Sequence, residues 1–312
     1  MHIFVSGSLA YDRIMDFPGR FADHILPEKI HILNVCFMVN GLTERFGGTA
    51  GNIAYNLALL GEKPVILATG GRDFSHYQQW LLELGLPLAG IRLIEEEFTA
   101  GAYITTDLAD NQITGFNPGA MKFESGFQFD GVNPKKSLAI IAPGNLPDML
   151  TYSRRYKEMG LPYIFDPGQS IPAWGPEELR EMATGALALI VNDYEQEMFC
   201  QKTGLTEGGL RNLVQTLIIT KGEEGSEFIG PEGRQSIPAA QPRRVKDPTG
   251  AGDAYRAGLI KGLTLGLPWG TAALMGATLA SFAVEQTGTQ EHRLSLSDFW
   301  QRYRDNFGPP PV

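Results

Sequence analysis

A glycine-rich turn between two carboxylates is the clearest chemical signal in the sequence. Residues 247–256 read DPTGAGDAYR, with Asp247 before the turn and Asp253 after it. The glycines fall where a helix is predicted to begin, and amides at a helix N-terminus are unpaired and lie at the positive end of its dipole. Glycine also lets a phosphate approach this backbone. The pattern suggests an anion site where Asp253 accepts a proton from an attacking hydroxyl; the plainer interpretation is a helix start whose aspartate favours the dipole.

The familiar nucleotide-binding patterns do not explain this turn. The chain contains no GxxxxGK[ST] sequence and no HRD or DFG, and no third glycine completes a dinucleotide fingerprint after residue 252. A phosphate bound at this turn would therefore be held by another scheme.

Two more segments offer hydrogen-bonding groups beside glycines. FGGTAGNIA at 46–54 precedes a predicted helix, with Gly48 open to a ligand and Asn52 supplying both a donor and an acceptor. GSLAYD at 7–12 follows the first predicted strand, and ligands bind at the carboxyl ends of strands in open α/β sheets. Asp12 could accept hydrogen bonds from two hydroxyls of a ribose-like diol. The alternatives are a helix cap with small packing residues and an ordinary turn aspartate.

Two later strand ends also carry polar residues. NDYE at 192–195 begins a predicted helix, with Asn192 as its cap and Glu195 at the capping-box position. The functional alternative gives both residues to water-mediated Mg²⁺ and phosphate contacts. TKG at 220–222 and Gly225 follow another strand and could border a nucleotide.

Short apolar runs alternate with helical patterns along the chain. The runs are HIFVSG, KPVILATG, LAIIAPG, PYIFDPG, LALIVND and TLIITKG, and helices are predicted near 51–61, 75–85, 148–159, 176–184, 193–203, 206–214, 251–265, 268–286 and 295–306. Continuous apolar strands separated by helices are typical of a parallel sheet buried on both faces. The alternation predicts one domain over residues 1–312, a three-layer α/β/α sandwich with a mostly parallel central sheet.

Two regions, about 13–46 and 98–118, depart from this alternation. In the first, IHILNVCFMVNGLTERFGG at 30–48 is predicted to form strands joined by a turn at Asn40–Gly41, and the second is predicted to be a hairpin. We interpret the two regions as a small β-sheet that lies over the main sheet as a lid. An ordinary extension of the sheet edge explains the pattern equally well.

Composition limits the class of protein. The net charge is −9, which argues against a nucleic-acid partner. Cys36 and Cys200 form no CxxC pattern, and free thiols fit a reducing cytosol. The longest nearly uncharged run, about 271–284, is too short to span a membrane. We expect a cytoplasmic protein with a small-molecule partner and without nucleic-acid or membrane contacts.

The motifs together resemble those of the ribokinase-like (PfkB) family of small-molecule kinases, over essentially the whole chain. GGTAGNIA at 47–54 is similar to the first family signature, DPTGAGDAYRAG at 247–258 to the second and highly specific one, and NDYE to the NxxE element. The resemblance implies a ribokinase-like sandwich with a β lid and the use of ATP and Mg²⁺.

The resemblance also implies roles for individual residues. Asp253 would be the catalytic base, beside an anion hole formed by the amides of Gly250, Ala251 and Gly252. The substrate would be held by Ser8, Asp12, Gly48, Asn52, Phe116 and Gln169, with Phe116 stacked on the base. The ATP site would be lined by Asn192, Glu195, Thr220, Gly222 and Gly225, with Glu195 reaching Mg²⁺ through water.

A narrower resemblance points to the bacterial adenosine kinases of this family. It rests on FPGRFADHILPE at 17–28, FNPGAM at 116–121, DPGQ at 166–169, GDAYRAG at 252–258 and TGTQE at 287–291. It implies phosphorylation of adenosine to AMP, and it allows a homodimer formed through the lid. The alternatives are a sugar kinase acting on ribose, fructose or a related sugar, and a nucleoside-binding protein without catalysis.

One position departs from the adenosine-kinase pattern. Where related enzymes place a second lid aromatic, this chain has Ala102, which cannot stack on a base. Tyr103 should face the opposite side of its strand, because neighbouring strand residues alternate between faces.

Overall fold

The computed structural model describes residues 1–231 and 233–311. Its strands are β1 (His2–Ser6), β2 (Ala10–Asp16), β3 (Thr43–Gly47), β4 (Val65–Gly71), β5 (Ile91–Ile94), β6 (Ala100–Thr106), β7 (Gln112–Asn117), β8 (Ser137–Ile141), β9 (Tyr163–Phe165), β10 (Ala188–Asn192), β11 (Thr216–Thr220), β12 (Ser226–Gly230) and β13 (Gly233–Ile237). Its α-helices are α1 (Thr49–Leu59), α2 (Ser75–Glu83), α3 (Leu146–Met159), α4 (Pro176–Ala183), α5 (Asp193–Thr203), α6 (Glu207–Leu213), α7 (Ala251–Thr264), α8 (Trp269–Ala283) and α9 (Leu296–Phe307). Every predicted helix is present, and within the described ranges no helix is long and apolar enough to cross a membrane.

The main sheet is mostly parallel, as predicted. Its strand order is β13-β12-β11-β10-β9-β8-β1-β4-β5, and its antiparallel pairs are β11 with β12 and β12 with β13. All six predicted strands lie in it. The sequence patterns did not reveal β5, β12 and β13, because these strands are short or interrupted by charged residues and lack a continuous apolar run.

Helices cover both faces of the main sheet. Alternate residues of β1 point to opposite faces, so Val5 packs with the core beneath α1, α7 and α8, whereas Phe4 packs with the core beneath α3, α4 and α5. The same alternation continues in β8 through β11. Burial on both faces explains why these strands read as continuous apolar runs.

The two irregular regions form a separate four-stranded sheet in the order β3-β2-β6-β7, which we call the small sheet. Its outer pairs are antiparallel and its central pair, β2 with β6, is parallel. The hairpin predicted at 98–118 is confirmed as β6 and β7. Because these strands do not join the main sheet, the edge-extension interpretation is wrong.

The strand predicted just before the Asn40–Gly41 turn is also wrong. Residues 27–32 form a 3₁₀ helix, and β3 pairs with β2 instead of folding back through that turn. The ring of Phe37 packs against Phe17 with the ring centroids 4.7 Å apart. The apolar residues of this segment therefore reflect a local aromatic cluster and not the alternating faces of a strand.

Candidate active site

The carboxyl ends of the central strands open onto a cavity of about 260 Å³. It is lined by Thr49, Pro143, Asp166, Gly168, Gln169, Asn192, Glu195, Thr220, Gly250, Gly252, Asp253 and Arg256. The cavity lies beside β1, where the chain order reverses because β4 and β8 flank β1 on its two sides. Such a switch point is where open α/β sheets bind ligands.

The glycine-rich turn forms the start of α7 at this cavity. Gly250 caps the helix in the left-handed conformation, with φ of 81°. The amide of Ala251 donates to the carbonyl of Pro248 at 3.2 Å, whereas the amides of Gly250 and Gly252 have no acceptor among the described residues. Two of the three amides predicted to form an anion hole are therefore available to a ligand.

Asp253 lies in the first turn of α7, between the cavity and α1. Its carboxylate oxygen Oδ2 accepts a hydrogen bond from Nδ2 of Asn52 at 2.8 Å. Burial raises the pKa of Asp253 to about 7, although the charge of Arg256 and the Asn52 hydrogen bond act in the opposite direction. A carboxylate with this pKa is matched to general-base work near neutral pH.

The amide of Asn52 is oriented by a residue to which the sequence analysis gave no role. Nε2 of Gln290 donates to Oδ1 of Asn52 at 3.1 Å, while Oε1 of Gln290 accepts from the Trp80 indole at 2.9 Å. Because Oδ1 is an acceptor in this arrangement, Nδ2 is left to face Asp253. The segment TGTQE contained this residue, but its spacing alone gave no sign of the contact.

A buried ion pair between Asp166 and Arg256 is the second feature without a predicted role. Asp166 follows β9, and its Oδ1 accepts from Nη2 of Arg256 at 2.7 Å. A second bond joins Nε of Arg256 to Oδ2 of Asp166, so the contact is bidentate. Burial raises the pKa of Asp166, and the guanidinium opposes that shift.

Close contacts with Ser8 and Asp12 explain the GG pair before α1. At Gly48, with φ of 86°, a Cβ atom would lie 2.6 Å from the carbonyl oxygen of Ser8. At Gly47, a Cβ atom would lie 2.7 Å from Oδ2 of Asp12. Asp12 belongs to β2 and not to a turn after β1, and burial raises the pKa of its carboxyl.

Ser8 and Thr49 bind each other across the same contact. The amide of Thr49 donates to Oγ of Ser8 at 3.0 Å, and the amide of Ser8 donates to Oγ1 of Thr49 at 3.2 Å. Both polar groups of Ser8 thus help to anchor the start of α1 to β1.

The NDYE segment forms the helix cap that was predicted from the sequence. Asn192 and Glu195 form a capping box, in which Glu195 accepts from the Asn192 amide at 2.8 Å. Both residues also line the cavity with Thr220. Gly222 and Gly225 lie in the turn after β11 and are not among the residues that line the cavity.

One row of side chains crosses the small sheet. Strand register places Arg45, Asp12, Ala102 and Phe116 side by side on β3, β2, β6 and β7. Paired residues share a face, so Phe116 lies about 10 Å from Asp12, two strand spacings away. Phe116 is 53% exposed.

Tyr103 lies on the other face of the small sheet, as expected. Its hydroxyl accepts a hydrogen bond from Nη1 of Arg13 at 2.9 Å. Ala102 therefore remains the residue of β6 that stands between Asp12 and Phe116.

The donor set fits a divalent cation carried by a nucleotide better than a site formed by protein alone. Within residues 1–231 and 233–311, no group of three histidine, cysteine, aspartate or glutamate residues could hold a metal. Mg²⁺ usually keeps several waters and binds substrate phosphates with one or two carboxylates. Glu195 and Asp253 both line the cavity next to the helix N-terminus where phosphates would lie.

Comparison with known proteins identifies the family. The model of the pfkB family of carbohydrate kinases matches residues 21–295. A nucleoside kinase from Methanocaldococcus jannaschii is 32% identical over 265 residues, covering 84% of this chain and 87% of that protein. The structure of Burkholderia thailandensis nucleoside kinase in complex with inosine matches with a TM-score of 0.86 and 38% identity over 99% of each chain.

The chain therefore belongs to the pfkB family of carbohydrate kinases, which confirms the resemblance seen in its motifs. It is a ribokinase-family kinase that transfers a phosphoryl group to a hydroxyl acceptor, and its homologues include nucleoside kinases.

Proposed function

We propose that the protein phosphorylates the 5′-hydroxyl of a nucleoside, using ATP and Mg²⁺. The observation that carries this proposal is the position of Asp253, whose carboxylate has a pKa of about 7 and lies in the first turn of α7 beside the free amide of Gly252. A proton acceptor and an anion site are thus next to each other, which is what transfer of a phosphoryl group to a hydroxyl requires.

The row across the small sheet supports a nucleoside over a free sugar. Asp12, Gly48 and Asn52 would hold the ribose, with the anchored Ser8 nearby, and Phe116 would stack on the base from the far end of the row. Gln169 would reach the nucleoside from the rim of the cavity. A free sugar would leave Phe116 without a partner, whereas a nucleoside would contact both Asp12 and Phe116.

The mechanism follows from the positions of these groups. The small sheet closes over the nucleoside as a lid and excludes water. Asp253 takes the proton of the 5′-hydroxyl, whose oxygen then bonds to the γ-phosphorus as the bond to the β–γ bridging oxygen breaks and ADP leaves. The amides of Gly250 and Gly252, which have no acceptor among the described residues, would stabilise the charge on the transferring group.

The nucleotide would occupy the cavity near α5 and β11. Asn192, Glu195 and Thr220 line this part, and Gly222 and Gly225 lie in the turn after β11. Bound Mg²⁺ would neutralise phosphate oxygens, with Glu195 holding one of its waters.

We propose adenosine as the preferred acceptor, giving AMP. The adenosine-kinase-like segments at 17–28, 116–121 and 287–291 support it, and Phe116 offers one stacking surface for a purine. Ala102 leaves the neighbouring place on the row unfilled, so we expect other purine nucleosides to be accepted with modest discrimination.

A side-by-side measurement tests the proposal. ADP release would be followed with adenosine, inosine, guanosine, ribose and fructose at equal concentrations. We expect the highest kcat/KM with adenosine and smaller values with the other nucleosides. A clear preference for ribose or fructose would instead establish a sugar kinase, and adenosine binding without ADP release from any acceptor would establish a non-catalytic nucleoside-binding protein.

We also propose a cytoplasmic homodimer formed through the lid. Exposed apolar side chains cluster in the segment that joins β2 to β3: Leu26, Ile30, Ile32, Leu33, Met38 and Leu42. A second copy that covers this segment would bury a surface that is otherwise costly to leave in water. ATP dependence and the free thiols of Cys36 and Cys200 fit the cytoplasm.

A further inference from the structure

Arg256 stands alone as a cation in the candidate active site. Among the described residues that line the cavity, it is the one basic side chain, whereas Asp166, Glu195 and Asp253 all contribute carboxylates. Arg256 is only 7% exposed. The carboxylates would repel a phosphoryl group that enters the cavity. Arg256 is the lining side chain whose positive charge could attract it.

The guanidinium of Arg256 binds Asp166 through two of its three nitrogens. Nε and Nη2 hold the two oxygens of Asp166, whereas Nη1 donates to no acceptor in residues 1–231 or 233–311. Nη1 lies against the anion site, because a Cβ atom placed on Gly252 would come within 2.7 Å of it. The planar fork of arginine suits such a division, with a carboxylate on one edge and a phosphate oxygen at the remaining nitrogen.

We propose that Nη1 of Arg256 donates a hydrogen bond to a non-bridging oxygen of the phosphoryl group during its transfer. In that step the acceptor oxygen bonds to the γ-phosphorus, the bond to the β–γ bridging oxygen breaks, and Asp253 holds the acceptor's proton. Arg256 thus adds a charged donor to the amides of Gly250 and Gly252. The inference rests on the proposed phosphoryl transfer but not on the identity of the acceptor.

Asp166 is the positioning residue for this donor. Its two oxygens fix the plane of the guanidinium, and its own burial leaves the pair without water to compete for it. The carboxylate therefore prevents Arg256 from turning toward Glu195 or Asp253.

The test compares Arg256→Met with Arg256→Lys and a double variant, Asp166→Asn with Arg256→Met. The double variant removes both charges of the buried pair, so it avoids an unpaired buried carboxylate. We expect kcat to fall by about 10²–10³-fold in the double variant, the scale for loss of one transition-state donor. KM for the nucleoside should change little, and Arg256→Lys should recover only part of kcat because it lacks the fork.

A buried arginine far from the cavity provides the control. Arg302 of α9 is also 7% exposed and pairs with Glu285, so Arg302→Met should lower the Tm without the loss in kcat.

All rates are measured as full pH profiles. A kcat of the double variant within threefold of the wild-type value would overturn the inference. So would a pH profile of kcat that is shifted along the pH axis but reaches the wild-type plateau. Absence of nucleoside phosphorylation in the wild type would instead refute the proposed function.

Discussion

At the scale of single residues, Asp253 is held between opposing influences. Burial favours its neutral form, whereas Asn52 and Arg256 favour the carboxylate, and the outcome is a pKa of about 7. Its place in DPTGAGD was evident from the sequence, but its pKa was not, because the value depends on burial in the folded protein and on contacts such as that with Asn52, which lies 201 residues away along the chain.

Replacement of Asp253 by asparagine should remove the base while preserving the shape of the site. We expect kcat to fall by about 10²–10⁴-fold, the usual contribution of acid–base catalysis. Calorimetric titration should show nucleoside affinity close to that of the wild type. Near wild-type turnover would show that another group takes the proton.

The rate should depend on pH through the same carboxyl. Because only the deprotonated form can accept the proton, kcat/KM should rise about tenfold per pH unit up to an apparent pKa of about 7 and then level off. The residual activity of the Asp253→Asn variant should lack this rise. The profile is measured between about pH 5.5 and 8, so that the range spans this pKa. A wild-type kcat/KM that does not change over this range would contradict the role of Asp253 as the base.

The same shift has a cost in stability. The pKa of Asp253 in the folded protein lies above the unfolded value of 3.8, so its contribution to stability is fully present below pH 3.8 and is lost as the pH rises through about 7. Asp253→Asn should therefore raise the Tm at pH 8 by a few degrees, roughly. Calorimetry at pH 8 and pH 4 checks this, since the gain should disappear at the lower pH.

At the scale of helices and strands, the sequence predicted those elements in which burial produces a regular spacing of apolar residues. Six of the nine strands of the main sheet and all the predicted helices followed from apolar runs and helical spacing. The strand predicted before Asn40 was wrong, because Phe37 packs with Phe17 and Phe21. These ring contacts do not recur at a fixed spacing along the sequence. The same limit hid Gln290, whose partners Asn52 and Trp80 come from distant helices.

The small sheet offers a test of base recognition. Phe116→Ala should raise KM for the nucleoside by roughly 5- to 150-fold, the range expected for loss of one base-stacking contact. KM for ATP should stay constant. Ile113→Ala is the matched control, because Ile113 lies on β7 but on the opposite face. Equal effects of the two substitutions would argue against stacking on Phe116.

At the scale of the whole molecule, the apolar segment between β2 and β3 predicts self-association. Ile32 is 66% exposed, and Ile32→Asp would place a charge in the proposed interface. We expect light scattering to show a dimer for the wild type and a monomer for this variant. Leu82→Asp, on α2 and 55% exposed, should remain dimeric. A monomeric wild type at micromolar concentration would contradict the dimer.

The large sequence separation of the residues that contact Asn52 has a consequence for the synthesis of the protein. Its side chain bonds to Asp253 and Gln290, which lie 201 and 238 residues later in the chain. A ribosome must therefore finish most of the polypeptide before these groups can meet. Contacts of such long range also slow folding, because distant segments must be brought together before they gain any interaction. The nascent chain will thus spend most of its synthesis with the central sheet growing and its chemistry still unassembled.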